Sequence, residues 1–199
     1  MNATSKHHTI FTVGHSTRGL DDFVGMLKAR GVAAVADVRL IPKSRRYPHF
    51  ADEALAISLP KAGIEYISFK SLGGRRRRDR LSMLNAGWRN DSFRGYADFM
   101  QTPAFVEALQ ALIGRARVQP TTTLCAEAVP WRCHRSLISD ALLVRGWQVL
   151  DIMSERKTSP HKLTKFARAD GLTITYPPEA DAEGLFAETT PKPQHHEFT

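Results

Sequence analysis

Residues 32–38 (VAAVADV) constrain the fold of this chain most. Apolar small and β-branched residues follow one another there with a single interruption, Asp37. A run of this kind has no wet face. It must be covered on both sides, as strands inside a parallel sheet are. The flanking segments can supply the cover. Residues 9–13 (TIFTV) read as a short strand ended by Gly14, and Leu20, Phe23, Val24 and Leu27 before Gly31 read as an amphipathic helix with a glycine stop. Asp52 opens a second helix, and residues 64–69 (IEYISF) form a third strand. Residues 93–114 give one or two helices, with Pro103 at a start. A strand over 121–127, a helix over 135–145 stopped by Gly146 and a strand over 149–153 complete the alternation.

The pattern predicts a single layered α/β domain, a mostly parallel sheet with helices on both faces and right-handed crossovers. The domain is expected over residues 1–169, including a helix over 161–169. Residues 170–199 are expected as a partly disordered tail, with an edge strand over 172–176. Residues 70–91 lack periodicity and read as a long loop of the kind that is functional or disordered. Hydrophobic residues at 42% suffice for a core without disulfide staples, and two cysteines exclude a disulfide-rich secreted scaffold. No apolar run is long enough to span a membrane, and residues 1–8 lack the apolar core of a signal peptide. The expected location is the cytoplasm. A net charge of +8 favours an anionic or phosphorylated partner, nucleic acid among them, and no membrane partner is expected.

In open α/β sheets, ligands bind beyond the carboxyl ends of the strands. Four groups of residues fall there. Gly14 is followed by His15, a base or phosphate ligand, and by Ser16 and Thr17, which suit a helix cap or an anion contact. Asp37 and Arg39 project to one face. They form an ion pair, or Asp37 orients His15 or a substrate hydroxyl. The loop after them carries Ser44, Arg45, Arg46 and Tyr47, a mixture of basic and aromatic residues that suits a phosphate backbone with a stacked base. Gly73 and Gly74 precede five arginines within six positions, of which Arg75 is the first. These offer a close phosphate approach and a salt-sensitive anion surface. The segment does not contain the Walker pattern.

Residues 124–136 (LCAEAVPWRCHRS) are the richest in chemistry. Cys125 and Glu127 lie two apart, so a regular strand would turn them to one side. Cys133, His134 and Arg135 stand at the mouth of the next helix, where backbone N–H groups favour a thiolate or a bound anion, with Arg132 beside them. The cysteine-phosphatase spacing fails from both thiols: six positions on lie Trp131 and Ser139 rather than arginine. C-x-x-C, H-x-x-x-H and H-E-x-x-H are all absent, so no metal site is assigned and the cofactor stays unknown. A Cys125–Cys133 disulfide is conceivable across the loop.

The motifs TVGHSTR, ADVR with the later P-x-SRRYPHF, LGGR, GYADFM and CAEA-x-PWRCHRSLI occur in that order. Together they resemble the uncharacterised family catalogued as domain of unknown function 488, over about residues 9–161. The resemblance implies a compact bacterial α/β domain and no function.

From the residues, the expected protein is an enzyme acting on a nucleotide, nucleic acid or other phosphorylated substrate. His15, Asp37, Cys125, Glu127, Cys133 and His134 form its expected centre. Cys133 is the first candidate nucleophile and Cys125 the second, with Glu127 or His15 as acid or base. Ser16, Arg39, Ser44, Arg45, Arg75, Arg132 and Arg135 are the expected anion contacts. The alternatives are a non-catalytic nucleic-acid-binding module built on the arginine loops, and a redox or metal sensor using both cysteines.

Overall fold

A computed structural model describes residues 8–43 and 45–178. Five strands, β1 (Thr9–Gly14), β2 (Ala34–Asp37), β3 (Glu65–Ser68), β4 (Thr121–Cys125) and β5 (Gln148–Ile152), run parallel. A short strand β6 (Thr158–Pro160) pairs antiparallel with β5 at the edge, giving the order β3-β2-β4-β1-β5-β6. The uniformly apolar run does become a central strand: Ala34, Val35 and Ala36 have no exposed surface.

Helices lie on both faces. α1 (Leu20–Lys28) and α2 (Asp52–Lys61) bury Phe23, Leu27, Leu55 and Leu59 with Val13, Val35 and Leu124 from the sheet. α3 (Asp91–Phe99), α4 (Pro103–Val118) and α5 (Arg135–Leu143) bury Tyr96, Leu109, Leu112 and Leu137 with Ile10, Ala36 and Val38 on the other face. Alternation along each strand decides which face a residue serves. The helix starts differ in detail from expectation. Neither Ser16 nor Thr17 caps α1, which begins after Gly19, and Asp52 is the first residue of α2 rather than its cap. Asn90 and Thr102 cap α3 and α4, each accepting backbone N–H bonds, and Pro103 is the first residue of α4.

The C-terminal segment corrects the expected helix over 161–169. The chain there is irregular and then forms the hairpin β7 (Arg168–Asp170) and β8 (Thr173–Thr175), a separate two-stranded sheet rather than an edge of the main one. Gly171 supplies the positive φ of its turn. One buried carboxylate holds the segment down. Asp140 accepts bonds from His161 Nε2 (2.8 Å), Thr164 N (3.2 Å), Thr164 Oγ1 (2.7 Å) and Tyr176 Oη (2.9 Å). Residues 170–178 thus belong to the folded body, with Ile174 and Tyr176 in its core. The remainder of the expected tail lies outside the described residues.

Residues 73–90 form the expected long loop, but it is anchored. Buried Asn85 donates to Asp98 and accepts the Tyr176 N–H, and the Gly87 N–H bonds to the Tyr176 carbonyl.

Candidate functional site

Topology decides which strand ends meet. β4 lies between β1 and β2, so Cys125 pairs with Gly14 on one side and Leu124 with Asp37 on the other. His15, Arg39 and Cys125 are drawn to one edge although they stem from segments far apart in sequence. They do not share a face. Two clusters form there, back to back.

The first lies on the α1/α2 face. The His15 ring is buried and stacked on Phe50 at 4.2 Å. Its Nδ1–H donates to the Ser16 carbonyl (2.9 Å), so Nε2 is the acceptor for Arg39 Nη1 (3.2 Å). Burial, with the adjacent guanidinium, lowers the His15 pKa to about 4 and keeps the ring neutral. Arg39 turns its other edge to Asp37, with Nε–Oδ1 at 2.8 Å and Nη2–Oδ2 at 2.5 Å. Asp37 also accepts the Tyr66 hydroxyl (2.8 Å), and burial and this carboxylate push the phenol pKa up. Asp37 and Arg39 therefore form the buried ion pair, and Asp37 reaches His15 only through Arg39. Among the described residues, one N–H on each Nη of Arg39 has no hydrogen-bond partner.

Of these groups, His15 and Arg39 line an open pocket of about 390 Å³. Lys43, Arg46 and Tyr47 stand on one side, and Ser16, Thr17 and Glu127 on the other. Ser16 has φ of 52°, a left-handed conformation uncommon outside glycine, and its N–H is tied to the Ala126 carbonyl. Gly14 is required beneath it, because a Cβ there would lie 1.8 Å from the Glu127 carbonyl oxygen. That carbonyl accepts from Arg135 Nη2 (2.6 Å), and Arg135 Nη1 donates to Thr12 Oγ1 (2.7 Å). The Glu127 side chain, accepting from Val129 N (3.0 Å), is left at the pocket wall.

The second cluster lies on the α5 face. Cys125, Cys133 and His134 bring one ligand atom each within 4.8 Å of one another. His134 Nε2 is 3.0 Å from the Val38 carbonyl, and its Nδ1 is 3.7 Å from Cys133 Sγ. The ring packs on Tyr96 at 5.0 Å. Both cysteines are free. A hydrogen bond from Cys125, with His134 and Arg135 nearby, pulls the Cys133 thiol down, while that bond and burial push Cys125 up.

The anion contacts expected from sequence fall in different places. Arg39 and Ser16 line the pocket. Arg45, Arg75 and Arg132 are exposed and outside its lining. Arg135 is 1% exposed and committed to Thr12 and Glu127. Ser44 lies outside the described residues. In the arginine block, Arg76 donates to the Gly73 and Ser71 carbonyls and covers Phe99, and Arg78 pairs with Asp91. Arg77 and Arg80 face solvent. Glu127 does not share a face with Cys125, because β4 ends at Cys125. Lys43 and Tyr66 are the site residues that sequence reasoning missed. A tyrosine interrupting an apolar strand next to the Asp37 strand was the available signal.

Fold and site together define an α/β protein with a basic strand-end pocket and, behind it, a thiol–imidazole cluster. The chain belongs to the family described as domain of unknown function DUF488, whose model matches residues 19–142. No curated relative and no solved structure matches it. Among the described residues, no helix is long and apolar enough to cross a membrane.

Proposed function

We propose that the protein is an enzyme acting on a nucleotide or other phosphorylated substrate held in the strand-end pocket. The observation that carries this reading is the convergence of Arg39, Lys43 and Arg46 with a single carboxylate, Glu127, around one cavity. The cations suit a phosphate, and the Arg39 N–H groups with no partner among the described residues suit its oxygens. Tyr47 offers a ring for a base. Glu127 is the candidate general acid or base. His15, Asp37 and Tyr66 fix the guanidinium of Arg39. His15 Nε2 is already occupied by Arg39, which favours positioning over proton transfer for this ring. Cys133 does not line the cavity, so no nucleophilic role in it is assigned to the thiol. A cytoplasmic setting goes with this reading, since thiols stay reduced there.

The test is equilibrium binding of inorganic phosphate, mononucleotides and a short single-stranded oligonucleotide to the full chain. Lys43→Ala with Arg46→Ala should weaken binding of the preferred phosphorylated ligand by at least about tenfold, the loss of one to two charge-assisted bonds. Glu127→Gln should retain binding and lose turnover. If the double variant binds as tightly as wild type, the pocket is not the phosphate site.

The exposure of Arg75, Arg77 and Arg80 supports the second reading, a nucleic-acid-binding module. On that reading, Arg75→Ala, Arg77→Ala and Arg80→Ala together flatten the salt dependence of oligonucleotide binding, while the Lys43/Arg46 variant leaves it steep. Arg76 is spared because it holds the loop.

A further inference from the structure

We propose that Cys125, Cys133 and His134 form a binding site for a thiophilic divalent metal ion, zinc in the first instance. The proposal goes beyond the phosphate pocket and does not depend on it. Its geometry begins with the mutual 4.8 Å limit on the three ligand atoms, two sulfurs and one imidazole nitrogen. Atoms bound to one tetrahedral zinc lie somewhat closer than this, at roughly 3.3–3.8 Å for bond lengths of about 2.0–2.3 Å, so a small inward movement completes the set.

Val38 fixes which ring nitrogen is available. A backbone carbonyl only accepts, so the 3.0 Å contact puts the hydrogen on His134 Nε2. Nδ1 then carries a lone pair and is the atom beside Cys133 Sγ. A histidine that donates one N–H to a carbonyl while the other nitrogen faces thiols has the arrangement of a metal-bound imidazole.

Gly74 provides a further observation, independent of the cluster's internal bonds. A Cβ at this position would come within 3.0 Å of His134 Nδ1 and 3.4 Å of Cε1. Any side chain at position 74 would crowd the Nδ1 edge of the ring. This relates the second glycine of the Gly73-Gly74 pair to the cluster, whereas Gly73 is explained by packing on Leu40.

The donor set selects the metal. Two sulfurs and one nitrogen match zinc and disfavour magnesium or calcium, which take oxygen. Two thiolates balance the ion's charge in a partly buried place. Three protein donors are the count found in zinc sites that keep a fourth position for water or substrate, whereas structural sites are closed by four. Sequence spacing gives no hint of the site. The two cysteines are eight positions apart, and their approach depends on the turn that leads from the end of β4 at Cys125 back to the start of α5 at Arg135.

The experiment uses the full chain purified with reductant and without chelator. Metal analysis should find about one zinc per chain. Cobalt added to the metal-free protein should give the near-ultraviolet thiolate-to-cobalt band and the visible bands of a tetrahedral site. Cys125→Ser with Cys133→Ser should abolish the thiolate band. His134→Gln should weaken cobalt binding by more than the roughly 10–100-fold typical of losing an outer partner. Circular dichroism establishes that each variant is folded. Because Cys133 is more deeply buried than Cys125, the single variant Cys125→Ser serves if the double variant does not fold, and it should shift and weaken the band. A folded wild-type protein with two titratable thiols that takes up neither zinc nor cobalt overturns the proposal. So does a cobalt spectrum unchanged by the serine substitutions. Phosphate-ligand binding by the same samples reads the pocket separately.

Discussion

His15 makes the stability of this protein depend on pH in a calculable way. The ring is buried, stacked on Phe50 and hydrogen-bonded through Nε2 to a guanidinium that cannot lose its proton. Protonating Nε2 would set two cations face to face in a buried place. The folded value of about 4 lies below the ordinary 6.5, so between these values the unfolded chain binds the extra proton and the folded chain does not. Stability is therefore fully present above about pH 6.5 and is lost as pH falls towards 4. The gap is worth about 3 kcal/mol in total, of which about 2 kcal/mol is lost by pH 5. Urea unfolding at pH 7 and pH 5, on wild type and His15→Gln, measures this. Glutamine can still accept from Arg39 but does not titrate, and contributions of the other histidines cancel in the difference. Wild type should lose about 2 kcal/mol more than the variant between the two pH values. Parallel losses, or a His15 ring that titrates near 6.5 by NMR, would refute the buried neutral imidazole.

Two further predictions concern packing. Gly14→Ala should cost about 3 kcal/mol or more, because the new methyl would meet the fixed Glu127 backbone at 1.8 Å, whereas Gly25→Ala, in α1 with nothing within 4 Å, should stabilise by roughly 0.5–1 kcal/mol. Chemical denaturation of the pair checks both signs. Asp140→Ala strips the acceptor from four donors and should cost about 3 kcal/mol or more, with new cleavage sites over residues 158–178 in limited proteolysis.

The layers and the strand ends were legible in the sequence, because hydrophobic periodicity is a local signal. Residues 32–38 gave the central strand, and glycines 31 and 146 marked helix ends, where each has a positive φ. Strand order was not legible. Nothing local says that β4 enters between β1 and β2, so the candidates could be assigned to one edge but not to a face. The spacing of Cys125 and Glu127 misled for a related reason, since alternation holds only while the strand lasts. At the α5 mouth, Arg135 reads as an anion contact by position, yet its chain turns inward to tie Thr12 and Glu127. The expected helix over 161–169 failed because the tertiary contacts of His161 and Thr164 with Asp140 govern that stretch. The Asp170-Gly171 dipeptide was a hairpin signal in plain view.

Placement on opposite faces does not make the two clusters independent. The turn after β4 serves both. β4 ends at Cys125, and two residues on Glu127 lines the strand-end pocket. Between them the backbone is held by the His15 and Ser16 N–H groups bonding to the Cys125 and Ala126 carbonyls. Gly14 packs closely against this turn, and Arg135 donates to its Glu127 carbonyl. A metal ion drawing Cys125 towards Cys133 would therefore pull on the strand end that positions Glu127. Occupancy of the thiol cluster should then change ligand affinity in the pocket, and by thermodynamic reciprocity ligand should change metal affinity by the same factor. Shared backbone, not proximity of side chains, is the physical basis for that coupling.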